Sequence, residues 1–144
     1  MSGMLEGQGR LVVEYVGTFE MTSSVNFDAY LRAVSVGTVT RKLANTSRPP
    51  TVEVAVDGEE WTIRTSTAFN TVELVFTSGV EFTEKTMDGR TSATTITVEG
   101  DRLVQVQRVD GLEARTTWTF AQDGGLSMVH TAGDATATRV FRRL

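Results

Sequence analysis

The sequence predicts an all-β fold: a ten-stranded antiparallel up-and-down β-barrel, clam-like, capped by a helix-turn-helix lid. Three observations carry this reading. Turn signals recur at Asp57-Gly58, Asp88-Gly89, Glu99-Gly100-Asp101, Asp110-Gly111, Asp123-Gly124-Gly125 and Gly133-Asp134. Such signals at a spacing of roughly 8–12 residues mark an antiparallel sandwich or barrel. The stretches between them are rich in Val, Thr, Ile and Phe, which suit a pleated surface. Only near the N-terminus does the apolar period change from two to the helical spacing.

The first strand is expected over Tyr15–Ser23, with Gly17, Phe19 and Met21 on one face. Ser24 then caps a short helix running through Ala33, with Asp28 in its first turn and Phe27, Tyr30, Leu31 and Val34 as its apolar face. After Gly37 a second helix runs to about Asn45, with Val36, Val39 and Leu43 apolar. Pro49 and Pro50 precede the second strand, where a missing donor does no harm. Two helices between the first two strands of a sheet make a lid, not a layer.

Strand alternation assigns the faces. Trp61, Ile63, Thr65 and Thr67 share one face, as do Val72, Leu74 and Phe76, and Val80, Phe82 and Glu84. Leu126, Met128 and His130 point one way, and so do Ala135, Ala137, Arg139 and Phe141. The apolar face thus carries Thr65, Thr67, Glu84, His130 and Arg139. Each unpaired buried polar group costs about 1–3 kcal/mol, so a dry core would not hold so many. A water-containing cavity would. Over residues 102–109 parity alone does not choose between Val104 and Val106 and the set Leu103, Gln105, Gln107 and Val109.

Composition excludes several classes of function. Net charge is −4 and pI about 5.0, so no nucleic-acid footprint is expected, nor the strongly basic surface of a membrane-stacking protein. The absence of cysteine removes disulfides, zinc-thiolate sites and thiol nucleophiles, and fits a reducing compartment. The opening MSGMLEGQGR lacks the pattern of a secretory signal, and no apolar run approaches the ~20 residues of a spanning helix. A cytoplasmic protein is expected. An enzyme would have to use His130 with Glu84 as acid and base, without a nucleophile, metal set or cofactor loop, so no catalysis, cofactor or metal is expected.

The segment from Gly17 to Val34, GTFEMTSSVNFDAYLRAV, resembles the signature of the intracellular fatty-acid-binding and retinoid-binding proteins. Further similar stretches follow in order: Thr40–Ala44, Thr65–Thr71, Gly79–Phe82, Thr86–Arg90 and Ala137–Phe141. The resemblance covers roughly residues 12–144 as one domain and leaves 1–11 as a flexible extension. It implies a monomeric carrier of a long-chain fatty acid, or alternatively of a retinoid, with access to the nucleus and transient membrane contact through the lid. It also implies that Gln105 and Gln107 line the cavity and that Phe27 and Phe69 form the portal. Thr65, Phe76, Met128 and His130 complete the expected lining.

Relatives usually anchor the lipid carboxylate with two arginines and a tyrosine. Arg139 matches one arginine, and Phe141 stands where the tyrosine often is. The other arginine falls on Trp118 or, under a shifted alignment, on Phe120, and Arg115 has the wrong parity to replace it. The anchor is thereby reduced to Arg139. Its competing reading is an arginine paired with an acid at the strand end. His130 reads equally as a wall residue, Gln105 and Gln107 as structural amides, Arg41 and Lys42 as a solvated pair, and Asp88 with Arg90 as a structural polar pair.

Overall fold

The computed structural model describes residues 14–46, 48–68 and 70–144. The chain forms β1 (Gly17–Val25), α1 (Phe27–Ala33), α2 (Thr38–Thr46), β2 (Thr51–Asp57), β3 (Glu60–Ser66), β4 (Thr71–Thr77) and β5 (Phe82–Lys85). It continues with β6 (Thr91–Glu99), β7 (Arg102–Val109), β8 (Leu112–Phe120), β9 (Leu126–Ala132) and β10 (Ala135–Arg143). The ten strands form one sheet in the order β4-β3-β2-β1-β10-β9-β8-β7-β6-β5. Every neighbouring pair is antiparallel. The end strands β4 and β5 share no ladder, so the barrel is closed except for one seam. There the β4–β5 turn reaches across to β6, where Gly79 N–H donates to Ile96 O at 2.9 Å and Val98 N–H to Ser78 Oγ at 2.9 Å.

Each predicted turn joins two strands, because Asp-Gly and Gly-Asp pairs supply the left-handed backbone that tight connections demand. Asp110 and Gly111 show it, at φ 50° and 79°. β1 differs from the expectation. It extends to Val25, since Ser24 and Val25 pair with Arg139 and Thr138 on β10. Ser24 therefore caps nothing. The residue before α1 is Asn26, at φ 67°, whose amide donates to Thr136 O at 3.2 Å instead of capping the helix. A bulge between Met21 and Ser23 reverses the alternation, which is how both Met21 and Ser24 come to line the interior. Val80 is exposed and lies before β5, not on the inward face of it.

The end away from the lid is a packed aromatic core. Phe19, Phe120, Phe141, Ile63, Ile96, Leu103 and Leu126 are fully buried. Tyr15 stands edge-on to Trp61 and Phe120 with centroids 5.1 and 5.2 Å apart. At the other end α1 packs on β9 and β10, and α2 packs on α1. Val36 is buried there, but Val39 and Leu43 are exposed, because α2 is covered mainly from the α1 side. Arg41 is not a solvated cation: it clamps the two helices through Asp28 at 3.1 Å and Val36 O at 2.9 Å. Residues 1–11 and Phe69 lie outside the described residues.

Candidate functional site

Between the aromatic core and the lid lies a cavity of about 1170 Å³. That slightly exceeds the ~300–1,000 Å³ of ordinary ligand pockets. Two polar centres interrupt its wall.

Arg139 on β10, His130 on β9, Thr116 on β8 and Tyr30 on α1 form the first. An arginine can only donate, so Arg139 Nε–H donates a hydrogen bond to His130 Nε2 at 3.0 Å. The histidine must then carry its own proton on Nδ1 and donate it to Thr116 Oγ1 at 2.9 Å. The Tyr30 ring packs against the histidine, with centroids 5.0 Å apart. Burial, with Arg139 beside it, lowers the His130 pKa to about 2, so the ring is neutral. Burial lowers the Arg139 pKa to about 10, which leaves it cationic at neutral pH. Its guanidinium lies 4.1 Å from the Phe27 ring centroid and 5.7 Å from that of Phe141, and its NH2 meets Met128 Sδ at 3.7 Å. Among the described residues no carboxylate pairs with it, so the alternative of an acid partner at the strand end is not realised. A half-buried cation whose neighbours are all neutral can hold an anion with a charge-assisted hydrogen bond.

The neutral histidine has a measurable consequence. An unfolded chain takes a proton on histidine below pH ~6.5, whereas buried His130 does not. Stability is therefore lost as pH falls below the unfolded value, with a slope approaching about 1.4 kcal/mol per pH unit. A His130→Gln protein, whose amide can still accept from Arg139 and donate to Thr116, should lose less melting temperature between pH 7 and 5. Parallel acid sensitivity of both proteins would show that His130 titrates normally.

Glu84 on β5 anchors the second centre. It is buried, and burial raises its pKa against the pull of its hydrogen bonds. Its donors are Thr94 Oγ1 at 2.8 Å, Gln107 Nε2 at 3.0 and 3.1 Å and Gln105 Nε2 at 3.4 Å. Trp118 Nε1 donates to Gln105 Oε1 at 3.0 Å. The inward choice of Gln105 and Gln107 on β7 is thereby explained: they satisfy a buried acid.

Thr65, Gln105, Gln107, Trp118, Met128, His130, Arg139 and Phe27 all line the cavity. Phe76 and Phe141 do not. Phe76 stacks between Trp61 and Phe82, at 6.0 and 5.8 Å, and Phe141 lies fully buried in the core below. Of the two positions that could replace the missing arginine, Trp118 is at the cavity and Phe120 is beneath it. Asp88 and Arg90 form their ion pair, 2.8 Å, on the rim. Sequence reasoning missed Tyr30 and Thr116 as members of the arginine cluster. Thr116 shares the parity of Trp118, which was the available signal. His130 and Glu84 are engaged by different partners and share no hydrogen bond. Among the described residues no group of three or more acidic or histidine side chains could hold a metal ion, and no helix is long and apolar enough to cross a membrane.

The profile of the Lipocalin / cytosolic fatty-acid binding protein family matches residues 16–143. Sodium/calcium exchanger regulatory protein 1 of Doryteuthis pealeii is 38% identical over 136 residues, covering 93% of this chain and 99% of the relative. A fatty acid-binding protein of Tyrophagus putrescentiae is 40% identical over 133 residues, covering 92% and 99%. The structure of a Schistosoma mansoni fatty acid binding protein in complex with arachidonic acid superposes with a TM-score of 0.86 at 31% identity, covering 90% of this chain and 96% of that one.

Proposed function

Because the chain belongs to the Lipocalin / cytosolic fatty-acid binding protein family, we propose that it is an intracellular carrier that takes one long-chain fatty acid into its barrel and buffers or transports it. One observation carries this reading: a cationic guanidinium, Arg139, stands with no acid partner among the described residues on the wall of a cavity of about 1170 Å³. Burial of each methylene contributes about 0.8 kcal/mol, so a sixteen-carbon tail supplies roughly 12 kcal/mol as an upper figure. Micromolar affinity needs about 8 kcal/mol, and the costs of association consume part of the surplus. The tail holds the ligand and Arg139 sets its direction. The Schistosoma mansoni fatty acid binding protein, in complex with arachidonic acid, supports the same ligand class.

On this reading residues 12–144 are one binding domain, monomeric and cytoplasmic with access to the nucleus, and the lid touches membranes during transfer. The protein acts as a carrier and not a catalyst, since the two candidate acid–base groups, His130 and Glu84, are each tied to other partners. A retinoid is the second reading. It is favoured by Trp118, an aromatic donor where a second cation would serve a carboxylate.

An environment-sensitive fatty-acid probe should bind one to one. A long-chain acid should displace it better than the alcohol of the same length. Retinol displacing the probe at lower concentration than any fatty acid would favour the retinoid reading. Failure of the folded protein to take up the probe would overturn the carrier reading.

A further inference from the structure

Resting on the fatty-acid reading, we propose that Glu84 forms a second, hydrogen-bond-accepting subsite that selects long-chain fatty acids carrying a hydroxyl along the chain over unsubstituted ones. The direction of every bond around it supports this. Trp118 can only donate, so the oxygen of Gln105 must face the indole and its NH2 must face Glu84. Thr94 has one hydroxyl proton and spends it on Glu84, so Ser92 Oγ, 2.9 Å away, donates to Thr94. Gln107 directs its amide nitrogen at both carboxylate oxygens. All the bonds therefore run toward the acid, which accepts and has no one to give to.

They run unevenly. Oε1 receives Thr94, Gln105 and Gln107, whereas Oε2 receives only Gln107. A carboxylate has about four acceptor positions, so Oε2 keeps capacity for another donor. Among the described residues no lysine or arginine pairs with Glu84 to use it. An apolar side chain at this position would fill the wall without the cost of a buried acid. The acid lies on the cavity lining beside Gln105, Gln107 and Trp118. A ligand methylene there would cover the acceptor and offer it no donor. A hydroxyl offers one without adding charge, because the surrounding donors already balance much of the carboxylate.

Position completes the argument. β10 and β5 are five places apart in the ten-strand order, so Arg139 and Glu84 stand on opposite walls. An acid whose carboxylate sits at Arg139 runs its chain across the cavity toward Glu84. The hydroxyl is thus expected in the chain, away from the carboxylate.

The test uses the intact protein with octadecanoic acids hydroxylated at successive carbons, the methyl ether of each, and the unsubstituted acid. At one or a few adjacent positions the hydroxy acid should bind about tenfold tighter than its ether, which keeps the oxygen but cannot donate. In Glu84→Gln that ratio should fall to about twofold or less, whatever the absolute affinities. If the variant does not fold, the hydroxyl-to-ether comparison in the unaltered protein decides alone. Should no hydroxy acid outbind both its ether and the unsubstituted acid while plain acids still bind, the subsite is overturned and the carrier reading stands. Should the preference persist in Glu84→Gln, another group is the acceptor and the subsite is overturned. If neither plain nor substituted acids bind, the carrier reading itself falls and the subsite with it.

Discussion

A Phe120→Ala protein should unfold with about 3–5 kcal/mol less free energy than the parent, the range for removing a buried aromatic ring from a close-packed core. Phe120 is fully buried and stands edge-on to Tyr15 and Phe19, with centroids 5.2 and 5.9 Å apart. It sits at the closed end, where its neighbours are held by strands on several sides and can collapse into the void only partly. For a chain of this size the loss corresponds to roughly 10–15 °C in melting temperature. Trp118, two residues earlier on the same strand, provides the contrast. It faces a space that is already open, so Trp118→Ala enlarges a cavity instead of creating one and should cost less stability. Urea unfolding of both proteins checks the pair. A loss below about 1 kcal/mol for Phe120→Ala would mean that the closed end is not tightly packed.

That contrast marks the limit of what the sequence could disclose. A period of two says which face a strand residue occupies, and Trp118, Phe120, Phe76 and Phe141 all lie on the inward face as expected. Parity says nothing about height along the barrel. The inward face near one end lines the cavity, and near the other it is core, which is why Phe76 and Phe141 were expected at the ligand and lie off the lining. The turns were legible because positive φ at Asp-Gly pairs is a local demand. The bulge at Met21–Ser23 was not, since one extra residue leaves no compositional trace. It made Ser24 look like a cap when it is an inward residue opposite Arg139. Parity places Glu84 inward, but its hydrogen bonding depends on partners from β6, β7 and β8, which only the sheet order brings together. Likewise the competing reading of Arg139 pairs it with an acid at the strand end. The structure supplies a neutral histidine from the adjacent strand.

That neutral partner gives Arg139→Gln the largest expected effect on binding. A carboxylate in the cavity gains a charge-assisted hydrogen bond from the guanidinium, worth roughly 1.5–3 kcal/mol. Since about 1.4 kcal/mol is a factor of ten, the variant should bind long-chain fatty acids roughly ten- to a hundredfold more weakly. Glutamine can still donate an N–H to His130 Nε2, so the histidine keeps its tautomer and its bond to Thr116. The alcohol and methyl ester of the same chain length should bind almost unchanged, because the tail supplies their affinity and Arg139 supplies none of it. Arg139→Lys keeps the charge but loses the fork that serves His130 and a ligand at once, so its acid affinity should fall between the two. Titration of the acid, alcohol and ester into each protein reads these differences directly. Equal losses for acid and alcohol would mean the substitution damaged the barrel. No loss for either would place the carboxylate at the lid, in solvent, with the tail inward and Arg139 serving only to hold His130.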